Sequence, residues 1–121
     1  MTSYYDILNK INEDENYVIV SCLKDSAYRH HKLDRFLSQG EEAFNLYCDL
    51  VRQCCEEEKK SPQFKGFNFD DPILKEYFIR ETCDALIDCW WHGTINVDFM
   101  KSEPEFSIVS VFSRLQYNRS W

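Results

Sequence analysis

The stretch that most constrains how this chain folds is DPILKEYFIRETCDALIDCWWHG, residues 71 to 93. Asp71 is placed to cap a helix and Pro72 suits its first turn, where a missing N–H costs nothing. Gly93 follows where a helix would stop. A helix is expected over about residues 72 to 92, and its face of Leu74, Tyr77, Phe78, Leu86, Cys89 and Trp90 is wide enough to lie across a sheet. In 121 residues there is room for one core and not for two, so residues 1–121 are read as a single domain around that helix.

A second long helix is expected after Gly40, in EEAFNLYCDLVRQCCEEEKK, with Phe44, Tyr47, Cys48, Val51 and Cys55 along one side. Glu41 and Glu42 suit its positive end, and Lys59 and Lys60 its negative end. Between the two helices, SPQFKGFNFD reads as a loop by its Pro and Gly, held to the core by three phenylalanines. Ser3 and Asp6 resemble a capping box ahead of Tyr4, Ile7, Leu8 and Ile11, which predicts a short amphipathic helix.

The remaining segments read as strands. Tyr17 to Leu23 is a β-branched and aromatic run, Ile95, Val97 and Phe99 alternate with polar residues, and FSIVSVF follows the Pro-containing connection KSEPE. Residues 28 to 37 fit either an edge strand or a helix, and a hairpin with residues 17 to 23 is the favoured reading. The expected architecture is α+β: an antiparallel sheet of three to four strands with helices packed on one face.

Twenty-one acidic against fourteen basic residues give a formal charge of −7, which repels phosphate backbones and anionic membranes. Direct contact with nucleic acid or membrane is therefore not expected. The same charge suits a protein partner with a basic surface, such as a nuclease or another nucleic-acid-binding effector, although modest acidity also simply keeps a cytoplasmic protein in solution. The first residues show no secretory pattern, and no segment has the apolar length of a membrane span. A cytoplasmic location follows, and Cys22, Cys48, Cys54, Cys55, Cys83 and Cys89 are read as free thiols.

Four chemistries are open to test on these residues. Cys22 lies near His30 and His31, but it sits inside an apolar run where a thiol is inert. Cys83, Cys89 and His92 have the spacing of a partial zinc site that His30 or His31 could complete, but there is no CxxC pair, and the favoured reading is two small core residues and a helix-end cap. Cys54 and Cys55 point in different directions, one to core and one to surface. Glu13 to Glu15 and Glu56 to Glu58 are charge runs rather than paired catalytic acids, and the three separate glycines form no phosphate loop. No enzyme activity and no cofactor are expected. Trp90, Trp91, Trp121, Tyr4, Tyr5, Tyr117 and the phenylalanine loop exceed what a small core needs, and an interface, including that of a homodimer, would use the surplus.

One segment carries a resemblance. In SCLKDSAYRHHKLDRFLS, the residues Ser21, Leu23, Lys24, Asp25, Ser26, Ala27 and Tyr28, with Arg29 and Lys32 more loosely, resemble a strand, turn and strand of small phage-encoded proteins, among them an anti-CRISPR family that inhibits Cas9. That family is basic with an arginine-rich start, whereas this chain is acidic, so the resemblance implies origin in a phage or mobile element rather than a mechanism. The expectation is a non-enzymatic inhibitor acting in a bacterial host cell on a defence protein such as a CRISPR effector nuclease. An immunity protein against a toxin nuclease and a thiol- or zinc-dependent enzyme are the alternatives. The residues expected to meet the partner are Asp25, Tyr28, His30, His31, Glu56, Glu57, Glu58 and Trp91.

Overall fold

The structure, a computed structural model, describes residues 15–118. They form six α-helices and one 3-10 turn: α1 (Glu15–Arg29), α2 (Leu33–Leu37), α3 (Glu41–Lys59), the turn Pro62–Phe64, α4 (Pro72–Trp91), α5 (Val97–Ser102) and α6 (Pro104–Asn118). No strand occurs among the described residues, so the expected α+β sheet is replaced by an all-helical fold. The amphipathic helix expected near Ser3 to Ile11 lies outside the described residues, as do Tyr4, Tyr5 and Trp121.

The expected central helix forms as its caps predict. The Asp71 carboxylate accepts the Ile73 N–H at 2.8 Å, Pro72 occupies the first turn, and Gly93 follows the end with φ +77°, a conformation a Cβ would disfavour. What it covers differs from expectation. Phe78, Ile79, Thr82, Cys83, Ala85, Leu86, Ile87 and Cys89 are all buried, which takes in most of the circumference, because α1, α3 and α6 all pack against α4. A helix enclosed in this way needs no sheet to shield it. The phenylalanine loop folds onto its first turns: Phe64 is buried with its ring 4.8 Å from Phe78, and Phe69 lies 5.0 Å from the same ring.

The segments read as strands are helices for a shared reason. In α1 the buried residues Val18, Ile19, Cys22, Leu23, Ser26 and Ala27 come in pairs every four residues, which is one helix face. A seven-residue apolar window is too short to reveal that period. The intrinsic cost of a β-branched residue in a helix is only a few tenths of a kcal/mol, whereas burying Ile19 or Leu23 stabilises by about 1.5–3 kcal/mol each. Packing therefore decides. At the other end, the Asn96 side chain accepts the Phe99 N–H at 2.8 Å and opens α5, and Pro104 takes the first position of α6. KSEPE is thus a helix boundary, not a hairpin. Ser107, Val111 and Leu115, four apart, bury the inner side of α6.

Cys54 and Cys55 are both buried, which corrects the expected split between core and surface. Two adjacent positions are covered because α3 packs on α4 and on α6 at once. No helix among the described residues is long and apolar enough to cross a membrane.

Candidate functional site

The residues of the KDSAYRHH segment are placed by the way α1 ends. The N–H of Lys32 donates to the Ala27 carbonyl at 2.8 Å and the N–H of His31 to the Tyr28 carbonyl at 2.9 Å, the paired bonds of a Schellman stop. His31 takes the left-handed position of that motif, φ +59°, where glycine is usual. The expected turn between two strands is therefore the last turns of a helix and its cap.

The chain then reverses into α2, whose Phe36 is buried with its ring 4.9 Å from Tyr47, 5.1 Å from Trp90 and 6.0 Å from Phe44. With that plug in place, Tyr28, His31, Lys32, Leu33, Asp34 and Arg35 line an open groove of about 590 Å³. Trp91, at the end of α4, is outside that lining but adjoins it through two of its residues: Lys32 Nζ stands 3.7 Å from its ring centroid and the Arg35 guanidinium 5.3 Å. Tyr28 and His31 thus share one corner with Trp91, which is sixty positions further along the chain than His31. His30 is beside them, its Nδ1 donating to the Ser26 carbonyl at 2.7 Å.

Asp25 serves a different purpose. It accepts from Arg29 Nε at 2.9 Å, and Arg29 Nη2 and the Ser26 hydroxyl both donate to Asp84 Oδ1, at 2.8 and 2.6 Å. The result is a polar clamp between α1 and α4.

The glutamates of residues 56 to 58 do not reach the corner. They follow Phe44 and Tyr47 by ten or so residues along α3, roughly 15 Å of helix rise. Glu56 and Glu57 are exposed and paired with Lys59 at 3.0 Å and Lys60 at 3.3 Å. Glu58 is fully buried, which corrects its expected exposure. It follows Cys54 and Cys55 at four- and three-residue spacing, so it continues the inward face of α3.

A different acidic surface went unforeseen. Lys101 on α5 pairs with Glu42 at the start of α3, 2.7 Å apart, and holds that carboxyl below its usual range by a hydrogen bond and its charge. Glu41 beside it, Asp98 in the first turn of α5, and Glu103 and Glu105 at the α5–α6 junction are also exposed, and of these carboxylates only Glu42 is paired with the lysine. Beside them Phe106 and Val109 are 61% and 57% exposed, on the outer side of α6. The Phe106, Val109, Ser113 and Tyr117 spacing would have announced this stripe had the segment been read as a helix.

No family model matches the chain, and no curated protein or solved structure matches it.

The sulfur chemistry is buried. Cys22 borders a cavity of about 300 Å³ with Tyr17, Ser21, Asp25, Glu76 and Arg80, and burial pushes its thiol up to about 11. His30 lies eight residues on, just past the end of the same helix and roughly 12 Å along its axis, so the cross-strand pairing of Cys22 with a histidine does not form. Cys48 and Cys89 are likewise raised to about 11, and Cys54 and Cys83 higher, in each case chiefly by burial. His92 Nδ1 donates to the Asp88 carbonyl at 2.8 Å and caps α4, and among the described residues no three His, Cys, Asp or Glu side chains gather as metal ligands.

Proposed function

We propose that this is a non-enzymatic binding protein that inhibits a nucleic-acid-handling host protein by covering its basic surface, as a phage or mobile element would use against a defence effector such as a CRISPR nuclease. The observation that carries this reading is the α5–α6 junction, where Phe106 and Val109 stand exposed just after the exposed Glu103 and Glu105, and where Lys101 ties Glu42 of α3 to α5. Apolar anchors bordered by charge of one sign suit a partner whose own apolar contact is bordered by Lys and Arg. The carboxylates would speed encounter and the side chains of α6 would slow release. The buried, high-pKa thiols supply no ready nucleophile, which also favours binding over catalysis.

The test is a pull-down on purified CRISPR effector nucleases and toxin nucleases at low and high salt, with wild type and a Glu103→Lys/Glu105→Lys/Phe106→Ala variant. All three positions are exposed, so the variant should keep its helical circular dichroism. The reading expects one nuclease to be retained, less so at high salt, and to bind the variant at least about tenfold more weakly. Equal retention of wild type and variant would remove this face from the proposal. Capture of a toxin nuclease alone would make the protein an immunity protein.

A further inference from the structure

We propose a second site, independent of the acidic face: the groove at the α1–α2 corner binds a nucleotide, its phosphate on Lys32 and Arg35 and its ring against Trp91. In this acidic chain Arg29, Arg52, Lys59, Lys60, Arg80, Lys101 and Arg114 each pair with a carboxylate. Five cations form no ion pair among the described residues, and of these Lys65 and Lys75 lie elsewhere while Lys24, Lys32 and Arg35 gather around α2 and rest on aromatic rings. Lys24 Nζ is 5.8 Å from the Phe44 centroid, and Lys32 and Arg35 share Trp91. Two cations over one ring repel each other, and an exposed cation–π contact is weak beside a charge-assisted hydrogen bond to phosphate. A phosphate between Lys32 and Arg35 relieves that repulsion and draws Lys32 off the indole face, which is then open for a base to stack on.

The rest of the groove fits the same ligand. Its volume of about 590 Å³ lies in the range of small-molecule sites. Asp34, the one acid in the lining, disfavours a bare polyanion but can accept hydrogen bonds from a sugar hydroxyl or a base amino group. His31 puts an imidazole in the wall from a backbone conformation that glycine would hold more cheaply. A long nucleic acid would be repelled by the net charge of −7, so the ligand is a free nucleotide or the terminal nucleotide of a strand.

Both sources can be tested on the full chain by calorimetric titration and tryptophan fluorescence, with adenosine diphosphate, inorganic phosphate, and a short single-stranded oligonucleotide carrying a 5′-phosphate. The proposal expects saturable binding and fluorescence quenching by the diphosphate, the oligonucleotide, or both. Which of them binds identifies the source. Lys32→Gln/Arg35→Gln should weaken binding at least about tenfold, and Trp91→Leu should weaken it and abolish the quenching. The Glu103→Lys/Glu105→Lys/Phe106→Ala variant should bind the diphosphate as wild type does, so loss of the acidic-face reading leaves this one standing. Three results would each overturn it: no binding of either nucleotide probe up to roughly 10 mM, undiminished binding by a folded Lys32→Gln/Arg35→Gln variant, or inorganic phosphate binding as tightly as the diphosphate.

Discussion

His31 shows how much one residue can reveal. A left-handed conformation costs an ordinary L-residue about 1–2 kcal/mol, part of which glycine returns through its greater freedom in the unfolded chain. His31→Gly should therefore be neutral or stabilising by up to about 1 kcal/mol in urea denaturation, whereas the β-branched His31→Val should destabilise by about 1–2 kcal/mol. A His31→Gly variant that is more stable and binds nucleotide less well would show the strain to be tied to the groove. The Ser26, Arg29 and Asp84 clamp makes the opposite point. Its Arg29–Asp84 bridge is partly exposed and worth little by itself, but Ser26 is wholly buried and donates to the same carboxylate. Asp84→Ala leaves that hydroxyl without its acceptor and should cost about 1–3 kcal/mol, against less than about 0.5 kcal/mol for Glu57→Ala, measured by urea denaturation.

At the scale of elements, α1 is where a strand and a helix make opposite predictions. Ser21 is exposed in the middle of it, where a proline removes a backbone hydrogen bond and clashes with the preceding turn. Ser21→Pro should cost about 3 kcal/mol and lower the thermal midpoint sharply. A change under about 1 kcal/mol would contradict the helix. The helices legible in the sequence were those with local punctuation, α3 behind Gly40 and α4 between Asp71 and Gly93. The others, α1, α2, α5 and α6, are short or rich in β-branched and aromatic residues; residues 33 to 37, favoured as part of a hairpin, form the five-residue helix α2, and the helical period of all four appears only once the buried positions are known. The candidate sites divided in the same way. Tyr28, His31 and Trp91 were singled out as surface residues, but their meeting depends on the α1–α2 reversal, a contact between distant parts of the chain. The acidic face is hidden from a strand reading of FSIVSVF, because its exposed residues alternate on no strand face.

Across the whole molecule, thiols from α1, α3 and α4 converge in one core. Burial holds Cys22, Cys48 and Cys89 at about 11 and Cys54 and Cys83 higher, while an unfolded thiol ionises near about 8.5. As pH rises, the unfolded chain loses these protons first. The stabilisation is therefore complete below about pH 8.5 and is withdrawn as pH climbs towards and beyond 11, at up to about 1.4 kcal/mol per pH unit for each thiol. Urea midpoints should be level from about pH 7 to 8 and fall steeply above about pH 9. The same burial predicts that a disulfide reagent near neutral pH modifies these cysteines of the native protein only as fast as it unfolds.

The enclosure of α4 has a consequence for how the protein is made. Its covering comes from both sides in the chain, α1 and α3 ahead of it and α6 behind. During synthesis Leu86, Ile87 and Cys89 leave the ribosome before Val111 and Leu115, on the helix that packs against α4 from behind, have followed them out. The nascent chain therefore carries an open apolar seam until α6 emerges, a natural hold for a chaperone. A premature stop ahead of Pro104 would leave that seam open for good and send the product to aggregation.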